Sequence, residues 1–104
     1  MTQEERNYLD VVKGMEFEKK NEPEKAIKLY EQLLDRKFDG SLPYDRLAIL
    51  YRKAKNYEAE EITLKKAVSI FSKVAADGRS DGLPKLIKYQ KRLETLQRKY
   101  LNRL

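Results

Sequence analysis

The chain contains no cysteine and no histidine, and only 4 glycines and 3 prolines in 104 residues. No apolar run approaches the ~18 residues that a membrane span requires. Each absence excludes something. Without cysteine there is no disulfide framework and no thiolate nucleophile. Without cysteine or histidine there is no zinc site of the usual kind and no imidazole base. Small secreted domains often need such staples, so their lack fits a reducing compartment. The opening residues MTQEERNY carry acids and no apolar run. No signal peptide is expected, and the cytoplasm is the expected location. Catalysis is not expected either. The acids stand near bases at helical spacing, as in Glu24/Lys28 and Glu61/Lys65. There is no glycine-rich phosphate loop. The segment Asp77 to Asp81, with Gly78 and Gly82, is too short for a calcium loop and lacks its closing glutamate. No cofactor and no metal site is expected.

What is present is charge and helical periodicity. Charged residues make up 38% of the chain and hydrophobic ones 40%, a ratio that would mean disorder if the apolar residues were scattered. They recur instead at helical spacing. The net charge of +6 is concentrated at one end. Residues 1–82 hold 16 bases and 16 acids; residues 83–104 hold seven bases and only Glu94. Any electrostatic function therefore belongs to the last segment.

Five helices are expected in a single domain spanning residues 1–104. Thr2 and Glu5 form a capping box for a first helix reaching about Lys20. Tyr8, Val12, Met15 and Lys19 share one stripe, widened by Leu9 and Val11. Asn21-Glu22-Pro23 breaks it, and a second helix runs from Pro23 to Lys37 with Ala26, Ile27, Tyr30, Leu33 and Leu34 on one face. Gly40 is expected to be a left-handed cap and Ser41 the next N-cap. A third helix runs from Leu42 to Lys55, a fourth from the Asn56-Tyr57 turn to Ala76, and a fifth from Leu83 to Arg103. Residues 77–82 are expected to be the one true loop. Short connections make the neighbours antiparallel. No segment alternates with period two, so no strand is expected.

The two hairpins, 5–37 and 42–76, are related by a shift of 34 residues. Gly14 falls on Ala48, Phe17 on Tyr51, Tyr30 on Leu64 and Leu33 on Ala67. A 34-residue unit of two helices is the tetratricopeptide period. The runs Gly14-x-x-Phe17 … Ala26-Ile-x-x-Tyr30-x-x-Leu33 and Leu47-Ala48-x-x-Tyr51 … Leu64-x-x-Ala67 resemble that family's ladder of small and aromatic residues. Small residues let backbones approach, and aromatic ones fill the wedge between hairpins. The sequence departs from the pattern at Glu60, which occupies a small slot; at Asp10, where an aromatic is frequent; and at Phe38, where a proline usually ends the unit. A glutamate in a packed slot costs energy unless it is paired or turned outward, so the second hairpin is expected to splay. The resemblance implies an all-α fold, a short tetratricopeptide-like solenoid of stacked antiparallel hairpins.

The resemblance also implies a function. In that family the first helix of each hairpin lines a groove for a partner's peptide or helix. Here that face carries Tyr8, Val11, Met15 and Lys19, then Arg46, Ile49, Arg52 and Lys53. These residue types suit an interface. The competing reading is that the apolar ones cover the core and the bases are a solvated face. The clamp that some members use for a C-terminal carboxylate needs a lysine and two asparagines; its slots hold Val11, Met15 and Arg46, so that clamp is expected to be absent. The fifth helix, residues 83–104, is expected to cap hairpin two with Leu86, Tyr89, Leu93, Leu96, Tyr100 and Leu104. Its opposite arc, Lys85, Lys88, Lys91, Arg92, Arg98, Lys99 and Arg103, is expected to face solvent. The leading expectation is a non-catalytic protein-binding adaptor. The alternative is a nucleic-acid or anionic-surface binder acting through the basic arc, and self-association of exposed hairpin faces is a further one.

Overall fold

A computed structural model describes residues 1–103. Five α-helices follow one another: α1 (Gln3–Lys19), α2 (Pro23–Asp35), α3 (Ser41–Lys53), α4 (Tyr57–Ala76) and α5 (Gly82–Leu96), which continues into a π-helical turn, Gln97–Leu101. There is no strand among the described residues. Each helix packs on its neighbours in sequence, giving a short all-α solenoid of antiparallel hairpins. The helices start where local chemistry says they should. Thr2 Oγ1 accepts from the Glu5 amide at 3.1 Å, and the Glu5 carboxylate accepts from the Thr2 amide at 2.9 Å, closing the capping box. The Asn56 side chain, part of an expected turn, accepts from the Ala59 amide and caps α4.

The helix ends share a device that the sequence did not advertise. Asn21, Lys37, Lys55 and Gly78 all have left-handed backbone, with φ of 58°, 60°, 57° and 88°. The amide after each donates to the carbonyl five residues earlier: Glu22 to Phe17, Phe38 to Leu33, Asn56 to Tyr51 and Arg79 to Val74. This is the Schellman closure at four successive ends. Only one of the four left-handed residues is glycine. Gly40, expected to be left-handed, is extended at φ −93° and is itself the N-cap of α3; Ser41 is the first helical residue. Helices two and three therefore end at Asp35 and Lys53, ahead of the expected Lys37 and Lys55. An ordinary lysine carries no visible stop signal. The connection 36–40 is consequently as long as 77–81, and the two are tied together. Arg79 meets Asp39 and Asp81, and its Nη2 donates to the Asp39 carbonyl at 2.7 Å.

The core is built on aromatic rings. Tyr30, Tyr44, Phe71 and Tyr89 are fully buried with Leu33, Leu47, Leu64 and Leu96. Phe71 of α4 stands edge-on to Tyr44 of α3 at 5.9 Å and stacks on Tyr89 of α5 at 5.5 Å, locking three helices into one packing unit. The small slots are real. Ala26 and Ala48 are buried, and a methyl group added to Gly14 would collide with the Tyr30 ring. Gly82 opens α5 against α4 so closely that a Cβ there would stand 2.5 Å from the Ala75 amide nitrogen. α1 is oriented as the ladder of Gly14 and Phe17 expects, and the alternative in which Tyr8 and Met15 cover the core does not hold. The helix turns Val11, Gly14 and Phe17 inward, while Tyr8 and Met15 are 68% and 40% exposed.

A left-handed lysine strains its Cβ by roughly 1–2 kcal/mol, which glycine avoids while losing more chain entropy on folding. Lys37→Gly should therefore stabilise the fold by about 0.5–1 kcal/mol, and Gly78→Ala should destabilise it by about 1 kcal/mol. Urea midpoints of the two variants check both signs.

Candidate functional site

The row formed by α1, α3 and α5 is stitched by ion pairs that cross from one hairpin to the next. Glu18 of α1 receives Arg46 of α3 through both Nε and Nη2, the shortest contact being 2.6 Å, and also accepts from the Tyr30 hydroxyl at 2.7 Å. Asp45 of α3 receives Arg92 at 2.7 Å, the Tyr89 hydroxyl at 2.8 Å and Lys88 at 3.4 Å, all from α5. Burial raises the Glu18 pKa, but the Arg46 and Tyr30 hydrogen bonds and the Arg46 charge outweigh it, and the carboxyl lies below its ordinary 4.5. Burial, then the bond to Glu18, pushes the Tyr30 phenol above its usual value. Burial likewise raises Tyr44, to about 12; its hydroxyl donates to the Phe38 carbonyl at 2.6 Å.

Between α3 and α5 lies a groove of about 570 Å³. α3 supplies Ala48, Ile49, Arg52 and Lys53; α5 supplies Lys91, Arg92 and Thr95; Glu60 of α4 completes it. Glu60 is the residue that breaks the small-slot pattern. It is 2% exposed and takes a two-pronged bond from Arg52, at 2.6 and 2.7 Å. The expected splay has no cause once the carboxylate is paired. The Arg52 guanidinium also lies over the Tyr100 ring at 4.7 Å, and Tyr100 stacks on Tyr57 at 4.5 Å.

Of the residues expected on the binding face, the structure brings Ile49, Arg52 and Lys53 together in this groove. Arg46 is spent on Glu18. Val11 packs against the core, and Tyr8, Met15 and Lys19 lie exposed on α1, outside the groove. Sequence reasoning missed the groove's other wall. The sequence places Lys91 and Arg92 on a separate basic arc, because nothing local shows that α5 lies beside α3.

The basic arc is corrected in two ways. Four of its seven bases are ion-paired: Lys85 with Asp81, Lys88 and Arg92 with Asp45, and Arg103 with Glu58 and Glu61. The body is neutral overall, but its acids are placed under α5. Glu61, expected to pair with Lys65, is buried and accepts instead from Arg103 at 2.7 Å and Gln97 at 3.0 Å. The apolar arc is also interrupted. The π turn shifts the phase of the last residues, so Tyr100 is 43% exposed rather than in the core; Leu104 lies outside the described residues. At 77–81, hydrogen bonds from Arg79 and Lys85 hold the Asp81 carboxyl well below the usual range. Among the described residues no group of side chains is arranged to hold a metal.

Removing one partner of a buried pair costs more than removing both. Arg52→Ala should destabilise by about 3 kcal/mol, and adding Glu60→Met should recover most of the loss; denaturant midpoints across the cycle test the asymmetry. A carboxyl whose folded pKa is depressed stabilises fully above its unfolded value and loses that contribution as pH falls through the folded one. Stability from Glu18 should thus decline below about pH 4.5. In Glu18→Gln that part of the acid slope should vanish from a pH series of thermal midpoints.

A model of the tetratricopeptide repeat matches residues 11–39 and 43–73. No curated protein and no solved structure matches the chain. The two matched stretches fall on α1–α2 and α3–α4, the hairpins that the 34-residue shift relates, and cover more than half of the sequence. The chain belongs to the tetratricopeptide repeat family.

Proposed function

We propose that this protein is a non-catalytic adaptor that holds a segment of a partner protein, peptide or helix, in the groove between α3 and α5. Tetratricopeptide repeats generally mediate protein–protein interactions. The observation that carries the finer reading is the groove itself. Ile49 gives it an accessible apolar side chain, four cations line it, and its arginines are held in place by Glu60 and Asp45. Fixed polar groups around an apolar side chain lower the ordering cost of binding. The exposed Tyr8 and Met15 of α1 extend the same row of first helices and would meet a longer partner. No helix of the described residues is long and apolar enough to cross a membrane. A chain without cysteine suits the cytoplasm, where we place the activity.

The test is site-specific photo-crosslinking in the native cell, with the reactive residue at Ile49 and, as a control, at Ser72 on the exposed side of α4. A discrete protein adduct from Ile49 that is absent from Ser72 is expected. Equal labelling from both positions, or adducts from Ser72 alone, would overturn the groove as the binding surface.

A further inference from the structure

We propose that the groove takes an acidic segment, with carboxylates read by Lys53 and Lys91 and an apolar side chain seated against Ile49. This rests on the groove being the binding surface. Four bases line it, but they are not equivalent. Arg52 is neutralised by Glu60 and Arg92 by Asp45. Lys53 and Lys91 have no ion-pair partner among the described residues, are exposed, and stand on opposite walls, one on α3 and one on α5. Lys53 also feels the Glu18 carboxylate across the neighbouring hollow, but neither lysine is in a direct ion pair, so the charge free to meet a ligand is positive and comes from both α3 and α5. Each guanidinium has five donors and spends only some of them internally.

The neighbouring hollow of about 350 Å³ makes the contrast. Glu18 and Glu24 line it with Ile27, Leu50 and Lys53, so an acidic ligand is disfavoured there and favoured in the α3–α5 groove. Nucleic acid is the weaker match for the same charge. Single strands need exposed rings on which bases stack, and both tyrosines of the C-terminal segment are engaged. Tyr89 is buried, and Tyr100 is stacked between Tyr57 and Arg52.

A displayed library of random peptides should be selected on the intact chain, on Lys53→Glu/Lys91→Glu and on Ile49→Asp. The intact chain should enrich peptides in which Asp or Glu flank an apolar residue. The leading peptide should bind the double variant at least about tenfold more weakly, the scale of reversing two exposed ion pairs, and should weaken as salt rises. Neither lysine is in a direct ion pair, but Lys53→Glu sets a third carboxylate beside Glu18 and Glu24; if the thermal midpoint falls, Lys53→Gln/Lys91→Gln serves in its place. Enriched peptides without acidic bias that still fail on Ile49→Asp would overturn the acidic occupant and leave the groove. Peptides indifferent to Ile49→Asp, or no enrichment at all, would overturn both. A single-stranded oligonucleotide that displaces the peptide at equal affinity, and is itself lost on the double variant, would make the groove a nucleic-acid site and overturn the proposal.

Discussion

Glu60 and Glu61 stand side by side on α4, both buried, and a lone buried carboxylate costs far more than a small helical domain can supply. Each is held by an arginine from elsewhere in the fold, Glu60 by Arg52 of α3 and Glu61 by Arg103 beyond the π turn. Adjacent positions on a helix point about 100° apart, so the two acids reach to different neighbours. α4 is thereby tied to the helix before it and to the segment after α5. This constraint governs more than stability. It sets where Arg52 lies in the groove, and it draws the chain end back across α4, where Tyr100 stacks on Tyr57. The π turn has a physical reason in the same arrangement, since the wider turn re-phases the last residues and Gln97 and Arg103 both meet Glu61.

The same logic organises the row of first helices. Between α1 and α3 Glu18 reaches Arg46; between α3 and α5 Asp45 reaches Arg92, Lys88 and Tyr89, and the buried Tyr44 and Tyr89 rings meet at 6.5 Å. A chain with 16 acids in its first 82 residues spends several of them on these crossings and on the C-terminal bases. The excess of seven bases over one acid in residues 83–104 is therefore not a uniform stripe. After pairing, Lys91, Arg98 and Lys99 carry no ion-pair partner among the described residues, and only Lys91 of these lines the groove.

Much of the fold was legible. Hydrophobic periodicity marked all five helices, the Thr2 and Glu5 box marked the first N-terminus, and the Gly14/Ala48 shift marked the repeat, because each rests on a local rule that the chain obeys. What was not legible shares one cause. Lys37 and Lys55 end helices although lysine has no left-handed preference, since Schellman bonds and the burial of Phe38 impose that backbone from outside. Glu61 passes over Lys65 for Arg103 because the distant partner meets it in a buried place, where a hydrogen-bonded pair is worth more than at the surface.

The groove was half legible for the same reason. Ile49, Arg52 and Lys53 follow from the register of α3 within its repeat, but the opposite wall follows from where α5 lies, and that is set by Tyr89 stacking on Phe71 and by Gly82 seated on the backbone of α4. α4 is about two turns longer than α2, 20 residues against 13, and the helical-hairpin match stops at residue 73. The sequence repeat ends there, while the row of first helices continues for one more member. A binding surface that spans this break combines one wall the repeat predicts with one it does not. Its charge is therefore particular to this chain, whereas its position belongs to the architecture.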